Sequence, residues 1–270
     1  MLRMPDRYAV IGNPVAHSKS PQIHAEFARQ TKQDLSYELL LAPLDAFVSS
    51  ASRFRASGGR GLNVTLPFKG EAFRYATTCS ERARAAQAVN TLRFDTDAIF
   101  GDNTDGAGLV HDLTRNLDRA IAGERVLLLG AGGAARGVIG SLLEQRPATL
   151  TLANRSIEKA RRLAQDSRGA IDADAYAALA GRQFDLVINA TSASLSGALP
   201  PLPHGVFAPG ALAYDMMYGQ GETPFLAFAR NEGAAFCADG LGMLVEQAAE
   251  SFFIWRGLRP DTAPVLKLLR

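Results

Sequence analysis

The chain has 270 residues, 47% hydrophobic and 21% charged, an ordinary globular composition that excludes intrinsic disorder and suits two modest cores. Its net charge of +2 gives no field for gripping nucleic acid or a membrane surface, yet leaves room for the few local cations that a small anion needs. Two cysteines without metal or disulfide spacing, no apolar run of 18 residues and no long apolar segment before the first strand make the expectation a reduced, cytoplasmic protein with no metal, no membrane span and no signal peptide.

In chain order, short apolar runs predict strands at 8–11, 36–41 and 61–65. Helices are expected between them at 21–30 and 45–56, the first with Ile23 and Phe27 four apart on one face. A short helix at 69–75 follows, then a hairpin of 91–95 and 98–100 turning at Thr96-Asp97. The polar, glycine-containing segment 101–106 reads as a hinge between domains. Beyond it, candidate strands at 125–129, 149–153, 185–190, 212–216 and 234–238 alternate with helical stretches. That alternation predicts a parallel sheet covered by helices on both faces. A last helix is expected over 241–256, with Leu244, Ala248, Phe252 and Trp255 at helical spacing.

At the first of these later strands, the apolar run 125–129 passes through Gly130-Ala131-Gly132-Gly133-Ala134-Ala135 into a helix. Glycine at 130 permits the tight turn, and glycine at 132 lets backbone approach a pyrophosphate. The helix N-terminus then offers N–H groups and partial positive charge to the phosphates. The third fingerprint position is Ala135, an accepted variant. A strand–helix turn without any ligand is the plain alternative. The end of the next strand decides between nicotinamides, because NAD sites place a carboxylate there to bind the ribose hydroxyls. This sequence has Asn154-Arg155-Ser156, with Lys159 one turn on. Arg155 and Lys159 can pair with a 2′-phosphate, and Asn154 and Ser156 can donate to it, which points to NADP. The alternative is a solvated helix start, although cations there oppose the helix dipole.

Three segments of the first hundred residues carry polar groups that periodicity leaves unexplained. In 12–21, Ser20 reads as an N-cap before Pro21, and the hydroxyls of Ser18 and Ser20 beside a helix N-terminus suit a carboxylate. In 63–69, Asn63 and Thr65 share one face of a strand end, Pro67 breaks the strand and Lys69 opens a helix. A cation at a helix N-terminus is electrostatically disfavoured, which marks Lys69 as functional, a surface lysine being the alternative. In 103–106, Asp105 either takes part in chemistry or caps the helix that follows.

Together these segments resemble the shikimate dehydrogenase family. The matching stretches are GNPVAHSKSP at 12–21, NVTLPFK at 63–69, AVNT at 88–91, GDNTDG at 101–106 and GAGGAARG at 130–137. They continue with NRS at 154–156, NATS at 189–192, DMMY at 215–218 and DGLGMLVEQA at 239–248. They follow the family's order over nearly the whole chain, and HSxSP and NVTxPxK are specific to it. The resemblance implies an α/β fold of two domains: a substrate domain over 1–105, a Rossmann NADP domain over 106–240, and C-terminal helices over 241–270 returning to the first. It implies substrate contacts at Ser18, Ser20, Thr65, Lys69, Asn90, Asp105, Tyr218 and Gln247. Cofactor contacts fall on Gly130, Ala131, Gly132, Gly133 and Ala134, on Asn154, Arg155, Ser156 and Lys159, and on Thr191, Met216, Gly240 and Glu81. The implied activity is reversible NADPH-dependent reduction of 3-dehydroshikimate to shikimate, on the route to chorismate and the aromatic amino acids, by a monomer or homodimer. Lys69 would be the general acid and Asp105 its orienting partner. Two positions depart from the family's pattern, Ala25 in place of asparagine and Ser194 in place of glycine. An NAD-dependent quinate/shikimate dehydrogenase would carry an acidic residue where Arg155 stands. A non-catalytic shikimate-binding module would lack Lys69 or Asp105, and a folate dehydrogenase of related architecture would not need the HSxSP segment.

Overall fold

A computed structural model describes residues 5–167, 169–191, 198–219 and 221–270. The chain divides into two units. One takes the residues up to 108 together with 245–270, and the other takes 109–244.

The first unit is built on strands β1 (Asp6–Gly12), β2 (Leu35–Leu41), β3 (Gly59–Val64), β4 (Thr78–Cys79), β5 (Thr91–Phe94) and β6 (Ile99–Asp102), in the order β2-β1-β3-β5-β6-β4. β1 pairs parallel with β2 and β3. The crossovers that parallel pairing requires contain α1 (Ser20–Thr31) and α2 (Phe47–Ala56). β5 runs antiparallel to both β3 and β6, as a hairpin must, and β4 lies parallel to β6 at the edge. Two short helices, α3 (Lys69–Tyr75) and α4 (Glu81–Ala86), follow β3 and β4. Ile11, Phe47, Leu62, Phe68, Val89 and Leu92 form the core that joins the sheet to α2 and α3.

Helix α9 (Leu241–Arg256) joins this unit from Val245 onward. Phe252 is fully buried against Phe27 of α1, and Trp255 stacks on Tyr8 at 4.6 Å while its indole N–H donates to the Leu92 carbonyl at 2.9 Å. Arg82 pairs with both Asp102 of β6, at 2.7 Å, and Glu250 of α9, at 3.0 Å. The last helix, α10 (Ala263–Leu269), is tied to α9 by a bond from the Thr262 hydroxyl to Glu246 at 2.7 Å.

The second unit contains α5 from Leu109 onward (the helix spans Asp105–His111) and β7 (Arg125–Leu129), α6 (Gly133–Glu144), β8 (Thr149–Ala153), α7 (Ile157–Asp166), β9 (Asp172–Asp174), β10 (Phe184–Asn189), β11 (Phe207–Asp215), α8 (Pro224–Asn231) and β12 (Phe236–Asp239). Its sheet runs β12-β11-β10-β7-β8-β9 with every pairing parallel. Counted from β7, this is the 3-2-1-4-5-6 order of a doubly wound dinucleotide-binding sheet. Val126 and Leu128 enter one core while Leu127 and Leu129 enter the core on the opposite face. A strand buried on both sides needs apolar residues at every position, which is why β7 reads as an unbroken run.

The structure corrects four expectations. Gly101 and Asp102 belong to β6, Asp105 and Gly106 open the next helix, and 101–106 is buried throughout, so the segment is not an irregular exposed connection, and the division between units falls after Gly108. Its polar side chains are engaged in hydrogen bonds instead of solvent. Ser20 is not the N-cap of α1. Lys19 occupies that place, no side chain caps the helix, and Ser20 lies inside its first turn. The helix after β6 begins at Asp105 itself, and the Asn103 side chain, not Asp105, accepts an N–H of the opening turn, that of Asp105 at 3.1 Å. Thr65 falls just past β3 and does not sit within it. The polar edge strands β4 and β9 and a π-helical turn at Asp112–Asn116 were not foreseen.

Candidate active site

Lys69 is set by its neighbour. Phe68 is fully buried and stacks on Phe47 at 5.4 Å, so the chain entering α3 has little freedom. The Lys69 carbonyl also accepts the Val89 N–H at 2.9 Å. From this fixed base, Nζ donates to Asp105 Oδ2 at 2.7 Å. The two side chains are 25% and 9% exposed, so the ammonium is the more open member of the pair. The other carboxylate oxygen, Oδ1, accepts Asn90 Nδ2 at 2.8 Å. Asn90 is held from behind, since its Oδ1 accepts the Thr104 N–H at 2.9 Å and the Thr91 hydroxyl at 2.9 Å. Gln247 Oε1 lies 3.3 Å from both Asn90 Nδ2 and Thr104 Oγ1. Four predicted residues, Lys69, Asn90, Asp105 and Gln247, are thereby brought into one hydrogen-bonded group.

Ser18 and Ser20 form a second group. The Ser18 hydroxyl donates to Ser20 Oγ at 3.1 Å, and the Ser20 N–H donates back to Ser18 Oγ at 3.2 Å. Ser20 also reaches the Tyr37 phenol. That phenol donates to Asn63 Oδ1 at 2.7 Å, and Asn63 Nδ2 lies 3.3 Å from the Asn90 carbonyl. Thr65 is half-buried, with its N–H on the Ile11 carbonyl at 3.0 Å. Glu81 is the exposed first residue of α4. Tyr218, in the second unit, is half-buried, and burial pushes its phenol above the ordinary range. Ala25 is exposed on α1, and Ser194 lies outside the described residues.

The turn from β7 to α6 fits a pyrophosphate. Gly130 has φ +104°, a left-handed conformation open to glycine. No side chain caps α6 at Gly132, and a Cβ at Gly132 or Gly133 would meet open space, so a phosphate can reach the backbone N–H groups of the opening turn. Beyond β8, Asn154 Nδ2 donates to the Ser156 carbonyl at 2.9 Å and the Ser156 hydroxyl to Glu158 at 3.1 Å. Arg155 and Lys159 are exposed, and among the described residues neither is in an ion pair. Two exposed cations at one helix start suit a phosphate monoester. Thr191 donates through N–H and hydroxyl to Asn189 Oδ1, at 3.1 and 2.7 Å. Gly240 packs so tightly that a Cβ would stand 2.3 Å from the Met216 carbonyl oxygen, which ties those two positions together.

Sequence reasoning left His24, Tyr37, Thr91, Thr104 and Ser251 unassigned, and noted Asn63 without giving it a task. Asn63, Thr91 and Thr104 lie within the matching stretches 63–69, 88–91 and 101–106, whereas the signal for His24 is a polar residue on an apolar face, beside Ile23 and three before Phe27. Among the described residues no group of three or more His, Cys, Asp or Glu could hold a metal ion, and no helix is long and apolar enough to cross a membrane.

A doubly wound sheet with a phosphate-ready first turn, in a chain that also carries a lysine–carboxylate pair, defines an oxidoreductase that uses a dinucleotide. Comparison with known proteins narrows the class. Family models match at 10–92 (shikimate dehydrogenase substrate binding domain), 112–196 (shikimate/quinate 5-dehydrogenase) and 240–270 (shikimate 5′-dehydrogenase C-terminal domain). Shikimate dehydrogenase (NADP(+)) of Aromatoleum aromaticum is 66% identical, over 98% of this chain and 97% of its own. An Ael1 enzyme from Pseudomonas putida has a solved structure with 49% identity and a TM-score of 0.93, over 98% of both chains. Shikimate 5-dehydrogenase from Thermus thermophilus, solved in complex with NADP(H) and shikimate, has 33% identity and a TM-score of 0.86 over 97% of both chains. The chain belongs to the shikimate dehydrogenase family.

Proposed function

We propose that the protein catalyses the reversible, NADP-dependent interconversion of 3-dehydroshikimate and shikimate. Lys69 Nζ held 2.7 Å from Asp105 carries this reading. Ser18 and Ser20 bind the substrate carboxylate, and Thr65, Asn90, Asp105, Tyr218 and Gln247 read the ring and its hydroxyls. Lys69 gives a proton to the ketone oxygen as charge develops there, while Asp105 keeps Nζ aimed and balances its charge. Bound NADPH supplies the hydride. The loop Gly130, Ala131, Gly132, Gly133, Ala134 holds its pyrophosphate, and Asn154, Arg155, Ser156 and Lys159 hold its 2′-phosphate. Thr191, Met216, Gly240 and Glu81 would supply further cofactor contacts. The substrate part covers 1–105, the cofactor part 106–240, and 241–270 returns to the first. The enzyme works in the cytoplasm, as a monomer or homodimer, in chorismate and aromatic amino-acid biosynthesis. The test is an assay of the purified protein with shikimate and quinate, each with NADP and NAD. Shikimate with NADP should be the fastest pair. Faster turnover of quinate with NAD, or no turnover of shikimate, would overturn the reading.

A further inference from the structure

His24 is fully buried on α1 among aromatic rings. Its imidazole stacks on Tyr37 at 4.3 Å with the planes 9° apart, and Phe27, Phe252 and Trp255 pack around it. Its Nε2 stands 3.2 Å from Asn63 Oδ1. Asn63 itself reveals where the imidazole proton sits. The Asn63 amide nitrogen faces the Asn90 carbonyl oxygen at 3.3 Å, and that oxygen can only accept. The opposite end of the amide is therefore its oxygen, which also accepts the Tyr37 phenol. An acceptor in front of Nε2 requires the proton on Nε2. Burial pushes the imidazole down to about 3, so the ring carries no second proton near neutrality. Nδ1 is left buried and without a hydrogen-bond partner among the described residues. A hydrocarbon ring would pack here without desolvating Nδ1, so the imidazole is justified by what Nε2–H does.

From Asn63 the hydrogen bonds continue in one direction. Its Nδ2 donates to Ser251 Oγ at 2.9 Å and reaches Thr91 Oγ1 at 3.3 Å, and those two hydroxyls lie 2.7 Å apart. The Thr91 hydroxyl donates to Asn90 Oδ1, and Asn90 Nδ2 donates to Asp105 Oδ1. His24, Asn63, Asn90, Thr91, Asp105 and Ser251 are all buried, so the bonds are sheltered from exchange with water. We propose that His24 is a positioning residue, whose Nε2–H locks the Asn63 amide and starts a one-way chain of hydrogen bonds that ends on Asp105 and holds its carboxylate against Lys69. The proposal rests on the reading of the function given above.

The experiment combines nitrogen-15 NMR of the imidazole with kinetics of three variants. In the wild type, His24 should be the neutral Nε2–H tautomer from pH 6 to 8, and an Nδ1–H tautomer would overturn the proposal. His24→Phe keeps the stack on Tyr37 and removes the donor. Its kcat for shikimate should fall about tenfold, as for one buried hydrogen bond lost, with the KM for NADP unchanged. His24→Gln, whose amide nitrogen reaches the place of Nε2, should recover kcat to within about threefold of wild type, whereas His24→Asn, which places its nitrogen where Nδ1 was, should not. A His24→Phe enzyme as fast as wild type, or a His24→Gln enzyme no faster than His24→Phe, would overturn it. Should His24→Phe not fold, Thr91→Val interrupts the chain further along with little change of shape, and an unaltered kcat there would also overturn it. Wild-type protein that fails to oxidise shikimate would sink the functional reading instead, and the tautomer measurement would still stand.

Discussion

Lys69 and Asp105 stand 36 positions apart in sequence, yet Nζ and Oδ2 meet at 2.7 Å. Removing the amine from this partly buried pair leaves a carboxylate without its cation, so the loss reaches beyond one hydrogen bond. Lys69→Met keeps the length of the side chain without the proton. Turnover should fall by about 10²–10⁴-fold while NADPH binding, followed by fluorescence titration, stays close to wild type. Asp105→Asn should also slow turnover, and the double variant should lose less than the product of the single losses, because the two side chains act as a unit. Near-normal turnover in Lys69→Met would remove the lysine from the mechanism. His24 sets a pH dependence of a different kind. Its imidazole has the ordinary value of 6.5 when unfolded and about 3 when buried. Between those values the unfolded chain binds a proton that the folded chain refuses. The stability is therefore undiminished above about pH 6.5 and falls as pH drops toward 3. At pH 5 the deficit amounts to roughly 2 kcal/mol. Urea unfolding at pH 5, 6 and 7 should show this slope in the wild type and a flatter one in His24→Gln.

At the scale of elements, cofactor choice rests on the junction of β8 with α7. Arg155→Glu should exchange an attraction for a repulsion at the 2′-phosphate and lower NADP affinity by about one to two decades, with little loss for NAD. Steady-state kinetics with both cofactors would read this, and an unchanged NADP-to-NAD ratio would exclude Arg155 from that role. Helix α9 is pinned by Phe252, which packs against Phe27 and His24. Phe252→Ala should cost about 3–5 kcal/mol in equilibrium unfolding. The strands buried on both faces, such as β7, were legible in the sequence because continuous apolar runs leave few other readings. β9 was not, since Asp172–Asp174 is short, polar and at the sheet edge, where pairing with Ala153 and its neighbours supplies what propensity does not. The 101–106 segment misled for a related reason, because its polarity serves an internal network. The site itself was half legible. Lys69, Asp105 and the glycine turn announce themselves locally, while the Asn63 contact with Ser251 spans 188 positions and leaves no local trace.

At the scale of the molecule, the first unit is made of two pieces of chain separated by the whole of the second unit. Its sheet is encoded early, but Phe252, which packs on α1, and Trp255 and Arg256, which hold β1, are encoded late. Domains fold as units while the chain is being synthesised from its N-terminus. Here the residues that leave the ribosome first must wait with an apolar surface uncovered, while 109–244, contiguous in the chain, can close beforehand. Chains released from the ribosome with residue 244 as their last should therefore protect the second unit from protease while the first is still cut. Protection of both units in such chains would refute that order. The part of the protein born first is thus the last to be sealed, and it is the stretch with most need of a chaperone in the interval.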